Sequence, residues 1–254
     1  MANEVLTEIR DRVMIITLNR PDAMNAINLA LAEQLAAATD ELDNNKDLSV
    51  GVLTGNGRGF CAGMDLKAFV DTGMPTVEGR GFGGITERLP KKPLISAVEG
   101  FALAGGLELA LSTDLIVASA GAKFGIPEVS VGLFAGAGAL LRLPRVVPYP
   151  VAMKMALTAK PITAEQALEY GMVAEVTEKG EALNAAVDLA NAVAKNAPLG
   201  LIASKELLRE MQGRTEAEFW QYQQAQVDIV FKSEDGVEGA TAFAEKRAPN
   251  WKGV

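Results

Sequence analysis

The chain contains no histidine. That absence removes Ser-His-Asp and Cys-His nucleophilic catalysis, histidine-ligated zinc or iron, and the most widely used general base. Proton transfer must fall to carboxylates, lysine, tyrosine or cysteine. There is a single cysteine, Cys61, which excludes an intrachain disulfide and any multi-cysteine metal site and fits a reducing compartment. Cys61 itself reads as a small packed residue rather than a nucleophile. No uninterrupted apolar run reaches the roughly 18 residues a membrane span needs, and the first residues lack the charged-then-apolar form of a secretory leader. Positive charge is also short, 24 Lys and Arg against 32 Asp and Glu for a formal net charge of −8, which argues against nucleic-acid and anionic-membrane partners. The expectation is a soluble, cytoplasmic protein without a metal site.

What is present is apolar residue and glycine in quantity: 49% of 254 residues are hydrophobic and 25 are Gly, enough for a substantial core. The chain is organised around residues 98–138, where two carboxylates, Glu108 and Glu128, stand among apolar residues and glycines. A Glu flanked by Leu107, Leu109, Ala110 and Leu111 belongs either to a helix with one wet face or to a buried site. Glu is almost never fully buried unless paired or used, and the buried-site reading leads. Ile95 to Val98 suits a buried strand, 100–106 reads as a small-residue turn, and the pattern becomes helical from Leu107. A strand, a Gly-Gly turn and a helix leave free backbone N–H groups at the turn, where an anion is stabilised. Gly105 can therefore offer an oxyanion donor one helical turn from Glu108, although a Gly-Gly pair before a helix also serves simple close packing.

In chain order, Val5 to Arg10 and Val13 to Leu18 read as a hairpin, followed by a helix to Leu42 with Asn28 as its N-cap. Val50 to Thr54 reads as a buried strand, and Phe60 to Leu66 as strand, Gly turn and helix, whose amides are a second candidate for anion stabilisation. Residues 69–84 are Gly-rich and poorly periodic and read as a mobile, substrate-shaping segment. Leu115 to Ala118 and Lys123 to Gly125 read as short strands, and 139–143 as a helix. Further on, helices are expected over 151–157, 163–170 with Thr163 as cap and Gly171 as stop, 181–196, from Pro198, 216–231 and 236–247, with a strand at 172–176. The recurrence of strand, turn and helix favours a layered α/β architecture. The apolar and aromatic residues of the last segments, including Trp220, Phe231 and Phe243, need a surface to bury against, which points to a subunit interface.

Five segments taken together resemble the crotonase, or enoyl-CoA hydratase/isomerase, superfamily: NRPDAMNAIN (19–28), GFCAGMDLKAF (59–69), KKPLISAVEGFALAGGLELALSTDLIVA (91–118), AKFGIPEVSVGLFAGAG (122–138) and EDGVEGATAFAEKR (234–247). The resemblance implies an α/β fold with a spiral core of repeated ββα units over residues 1–195, and a helical C-terminal trimerisation region over 196–254. A homotrimer or a hexamer made of two trimers goes with it. It implies an acyl-CoA substrate whose thioester carbonyl is held by the backbone N–H groups of Met64 and Gly105, with Glu108 and Glu128 as the catalytic pair. Glu108 is assigned to water and Glu128 to the Cα proton. No cofactor is expected, since coenzyme A is part of the substrate. Ala62, Asp65 and Leu66 are implied near the adenine, and Lys246 near a phosphate of a neighbouring subunit, with Arg20 and Lys67 as further cations.

The chain departs from the pattern at Ala135, Gly138-Ala139, Leu141 and Met64, which bear on the acyl group more than on the chemistry. The implied activity is reversible hydration of a 2-enoyl-CoA. A carnitinyl-CoA dehydratase-like hydro-lyase, suggested by the ALAGG and LRLPR pieces, an isomerase, and a silent acyl-CoA-binding protein are the alternatives.

Overall fold

An antiparallel hairpin opens the fold: in β1 (Val5–Arg10) and β2 (Val13–Leu18), Val5 faces Leu18 and Arg10 faces Val13. Asp11 turns the corner at φ 52°, a left-handed conformation its short polar side chain tolerates. The computed structural model describes residues 3–254; the first two residues of the expected N-terminal unit lie outside it. β2 is buried along nearly its whole length, as a strand covered on both faces must be. The alternation of side chains sends Val13 and Ile15 to one core layer and Met14, Ile16 and Leu18 to the other.

A short 3-10 helix (Pro21–Ala23) leads to α1 (Leu29–Asn44). Asn28 begins it by accepting the Leu31 N–H at 2.8 Å, the expected cap. β3 (Val50–Gly55) runs parallel to β2. Isolated bridges then pair Cys61 with Ala102 and Met64 with Ile27, and α2 (Leu66–Thr72) starts at Asp65, whose carboxylate accepts the amides of Lys67 and Ala68, each at 3.2 Å.

The segment 69–84 differs from the mobile stretch expected of it. It completes α2 and then forms a small hairpin, β4 (Thr76–Val77) with β5 (Gly81–Phe82). Its glycines serve left-handed turns rather than slack, since Gly79, Gly81, Gly83 and Gly84 all have φ between 60° and 78°. Arg80 is buried among them, paired to Asp40 at 2.6 Å and donating to Thr39 Oγ1 and to the Gly84 carbonyl, both at 2.8 Å.

β6 (Leu94–Val98), β7 (Phe101–Leu103) and α3 (Gly105–Ala110) make one ββα turn. β8 (Leu115–Ser119), β9 (Lys123–Gly125), a 3-10 helix (Glu128–Val131) and α4 (Ala139–Val146) make the next. β7 occupies what reads in sequence as a plain turn, and α3 starts two residues before Leu107. A strand of three residues is too short to show a period of two; it is defined by its parallel partner β9, with Phe101 opposite Lys123 and Leu103 opposite Gly125.

After α5 (Tyr149–Thr158) come β10 (Ile162–Thr163), antiparallel to β9, and α6 (Ala164–Tyr170). Thr163 and Gln166 form a capping box at its start and Gly171 ends it at φ 90°. β11 (Glu175–Thr177) pairs in parallel with β8, about three residues later than the strand read over 172–176. α7 (Ala182–Ala194), α8 (Pro198–Glu210), α9 (Glu216–Phe231) and α10 (Glu234–Glu245) complete the chain.

The main sheet has the order β1-β2-β3-β6-β8-β11 and a second sheet the order β10-β9-β7, so successive ββα turns advance the chain along both as a spiral. α7 covers one face of the main sheet, setting Ala186, Val187 and Ala190 against Val13, Ile15, Val52, Ile95 and Val117. α8 is tied to the core by Asp114, which pairs with Lys205 at 2.7 Å and Arg209 at 2.8 Å. α9 and α10 leave large side chains in the open: Trp220 is 57%, Phe231 75% and Phe243 88% exposed. No described helix is long and apolar enough to cross a membrane.

Candidate active site

The two glycines that open α3 answer to different demands. A methyl group on Gly106 would lie 2.2 Å from the Cys61 carbonyl oxygen, so this glycine lets two backbones meet. A methyl on Gly105 would lie 2.5 Å from the Phe82 ring, at the wall of a cavity. The Gly105 amide belongs to the first turn of a helix, where N–H groups have no partner four residues back. Before it, Ala104 sits at φ 50°, ψ −130°, a conformation costing a non-glycine residue on the order of 1–3 kcal/mol and characteristic of functional turns.

Met64 supplies a second free amide. Ile27 donates to the Gly63 carbonyl at 2.8 Å and accepts from Asp65 at 2.9 Å. In an extended chain the intervening N–H points the other way, and among the described residues that of Met64 has no acceptor. The two segments are adjacent, since a methyl on Gly63 would come within 3.1 Å of the Gly105 nitrogen.

Glu108 lies one turn into α3 and is 3% exposed. Its Oε1 accepts the N–H of Ala137 at 2.7 Å and of Ala139 at 3.0 Å. Burial raises its pKa above the ordinary carboxylate value, opposed by those two amides and by the positive charge of Arg142. Glu128 opens its 3-10 helix after Pro127, and its Oε2 is buried with no hydrogen-bond partner. Burial pushes its pKa up to about 7; its own amide pulls the other way, and the charge of Glu108 adds to the rise. Two carboxylates in one site, one clamped by two amides from another segment and the other with a buried oxygen that has no partner, have environments that separate their protonation states.

Glu108, Glu128, Met64 and Gly105 line one cavity of about 190 Å³, together with Ala62, Leu66, Met74, Phe82, Leu133 and Phe134. A larger hollow of about 600 Å³ lies beside α10, but its charges are already engaged, Glu238 with Arg247 at 2.7 Å and Glu234 with Lys252 at 2.9 Å. The smaller cavity holds the two carboxylates whose pKa burial raises. Among the described residues there is no cluster of three His, Cys, Asp or Glu side chains able to hold a metal ion.

Of the residues implied near coenzyme A, Ala62 and Leu66 border this cavity. The Asp65 side chain does not; it caps α2 and pairs with Arg20 at 3.0 Å. Arg20 is also 3.5 Å from Glu4, so it is an internally neutralised cation. Lys67 lies on α2. Lys246 stands at the C-terminal cap of α10 in a left-handed conformation, φ 55°, and is not part of the cavity lining within one chain. Cys61 is fully buried, its thiol pushed up to about 12 by burial, as a packing residue would be. Nothing in the sequence singles out Phe82, hidden in the segment read as mobile, or Ala137, and Ala139 stands out there only as a departure from the family pattern; both alanines act through backbone amides that no side-chain pattern reports.

A spiral ββα fold whose cavity combines a buried and a half-buried carboxylate with two unpaired amides has the groups needed to polarise a carbonyl and move protons beside it. The chain belongs to the enoyl-CoA hydratase/isomerase family, whose model matches residues 8–254. It is similar to a solved structure titled enoyl-CoA hydratase from Mycobacterium tuberculosis H37Rv, with 52% identity, all of both chains covered and a TM-score of 0.97. Among curated relatives it is 41% identical to enoyl-CoA hydratase EchA19 of Mycobacterium tuberculosis, over 98% of this chain and 96% of that one. It is 37% identical to the carnitinyl-CoA dehydratase of Proteus mirabilis, over 96% of each.

Proposed function

We propose that this enzyme is an enoyl-CoA hydratase that adds water reversibly across the 2,3 double bond of a 2-enoyl-CoA thioester. The observation that carries the reading is the convergence of two differently provided carboxylates and two free amides on one cavity. In the proposed reaction the thioester oxygen sits on the N–H groups of Met64 and Gly105. As water attacks C3, the electron pair of the double bond moves toward that oxygen, and fixed donors in a site shielded from water stabilise the charge where it develops; one such donor is worth roughly 10²–10³ in rate.

Glu108 takes the proton from the attacking water. Burial raises its pKa, and its two amide bonds and the Arg142 charge work against that rise, toward the ionised form a base requires. Glu128, whose carboxyl titrates near neutrality, gives a proton to C2. Dehydration runs the same steps backwards. Both protons are carried by carboxylates, so the reaction asks for no cofactor beyond the coenzyme A of the substrate. Isomerisation through Glu128 alone would leave Glu108 and its amide clamp without a task. The exposed aromatic residues of α9 and α10 support assembly into a trimer or a hexamer, in which Lys246 would reach a phosphate of a neighbouring subunit's substrate. A cytoplasmic location fits the net negative charge and the reduced, buried Cys61.

The test is a panel of enoyl-CoA thioesters of increasing chain length, with a crotonobetaine-like one included, followed by loss of the conjugated-thioester absorbance. Hydration of simple enoyl groups is expected; preference for the charged substrate would move the assignment to the carnitinyl-CoA dehydratase-like alternative. No turnover of any member would favour a silent acyl-CoA binder.

A further inference from the structure

Arg142, on α4, is an isolated cation in a costly place. Among the described residues no carboxylate lies within ion-pair distance of it. Burial disfavours its charge, and so do its like-charged neighbours Arg209 of α8 and Arg145 of its own helix; the anion acting on it is Glu108. Its guanidinium donates to the Thr86 carbonyl at 2.5 Å and reaches the Ala137 carbonyl at 3.5 Å. It occupies the space a side chain on Gly138 would fill, since a methyl there would sit 2.1 Å from Nη1. Gly138, at φ 112°, lies between the two residues whose amides hold Glu108 Oε1.

We propose that Arg142 is a positioning residue for Glu108: by bracing residues 137–139 against the Thr86 carbonyl, it fixes the two amides on Oε1 and so holds the carboxylate in place for its work on water. The proposal rests on the reading of Glu108 as the base. The charged groups facing Glu108 are Glu128 from the 3-10 helix and Arg142 from α4, with Arg209 and Arg145 behind the latter. Removing Arg142 takes away the cation that favours charged Glu108, so its pKa rises and the base is protonated up to a higher pH.

The test compares Arg142→Gln and Arg142→Lys with the unaltered enzyme on the enoyl-CoA it hydrates fastest. Arg142→Gln should lose roughly 10- to 100-fold in kcat, the scale of a displaced catalytic group, with KM nearly unchanged and the acid limb of the kcat profile moved to higher pH. Arg142→Lys keeps the charge without the double carbonyl reach, and should hold the acid limb while recovering part of kcat. An unmoved acid limb in folded Arg142→Gln overturns the proposal whatever its kcat. Should that variant fail to fold, Gly138→Ala displaces the guanidinium instead and must move the limb the same way. A double-mutant cycle of R142Q and E108Q on thermal stability at pH 8 reads the same coupling without turnover. Coupling without hydration keeps the positioning of Glu108 by Arg142 but sinks the hydratase reading and with it the role on water; hydration without coupling sinks this proposal alone.

Discussion

Glu108 and Glu128 face one cavity with opposite provisions: Glu108 Oε1 accepts two backbone amides, at 2.7 and 3.0 Å, whereas Glu128 Oε2 is buried and accepts none. The contrast has consequences for stability as well as for chemistry, because a carboxyl with an oxygen buried without a donor resists ionisation.

The pKa of Glu128 is raised from 4.5 to about 7 in the folded chain, so between those values the folded state holds a proton that the unfolded state has released. Stability therefore falls as pH rises through this window and levels off above about 7. Glu128→Gln, which cannot ionise, should be more stable than the unaltered protein at pH 8, on the order of 2 kcal/mol. The difference should close near pH 4.5. Thermal unfolding at the two pH values checks this; equal stability differences at both would mean that Glu128 is satisfied in a way the geometry does not show.

The glycines at the start of α3 should separate. Gly106→Ala drives a methyl to 2.2 Å from the Cys61 carbonyl, a backbone clash that has no flexible end to yield, and should destabilise the protein by roughly 1–3 kcal/mol or more. Gly105→Ala meets the Phe82 ring at the cavity wall, and should cost activity more than it costs stability. Melting temperature and kcat measured on both variants decide the matter, and the reverse order would contradict the division of labour.

Asp65 is an N-cap and an ion-pair partner of Arg20. Its replacement by Ala should lower stability by about 1 kcal/mol, typical of a lost cap, and weaken coenzyme A binding little. A large rise in KM with unchanged melting would instead place Asp65 at the substrate.

These residues also show how far the sequence could be read. The β1–β2 hairpin, the Asn28 and Thr163 caps and the stretch around Glu108 were legible because their signals are local: alternation, a capping side chain, a carboxylate among leucines. The family resemblance carried the spiral, which no periodicity reports. The turn at 100–106 hid β7, since a three-residue strand is defined by its partner 22 residues away in β9. The 69–84 segment misled for a related reason. Its glycines are fixed by positive φ and by Arg80, whose partners Asp40 and Thr39 lie in α1. The amides of Ala137 and Ala139 and the brace from Arg142 belong to the same class of feature, backbone geometry brought about by distant parts of the chain.

The exposed faces of α9 and α10 make assembly testable by sedimentation. With Trp220, Phe231 and Phe243 open in a single chain, a trimer or hexamer is expected at micromolar concentration. A stable monomer would remove the basis for placing Lys246 across a subunit boundary.

The central claim is that two carboxylates divide one hydration between them, and the most direct measurement is the turnover of Glu108→Gln and Glu128→Gln beside solvent exchange of the Cα proton. Each replacement keeps volume and hydrogen bonding but removes proton transfer, a step worth about 10²–10⁴ in rate. The account predicts that both variants stay folded, bind acyl-CoA and lose most of kcat, with Cα exchange abolished in Glu128→Gln and partly retained in Glu108→Gln. Near-normal hydration by either variant would contradict it.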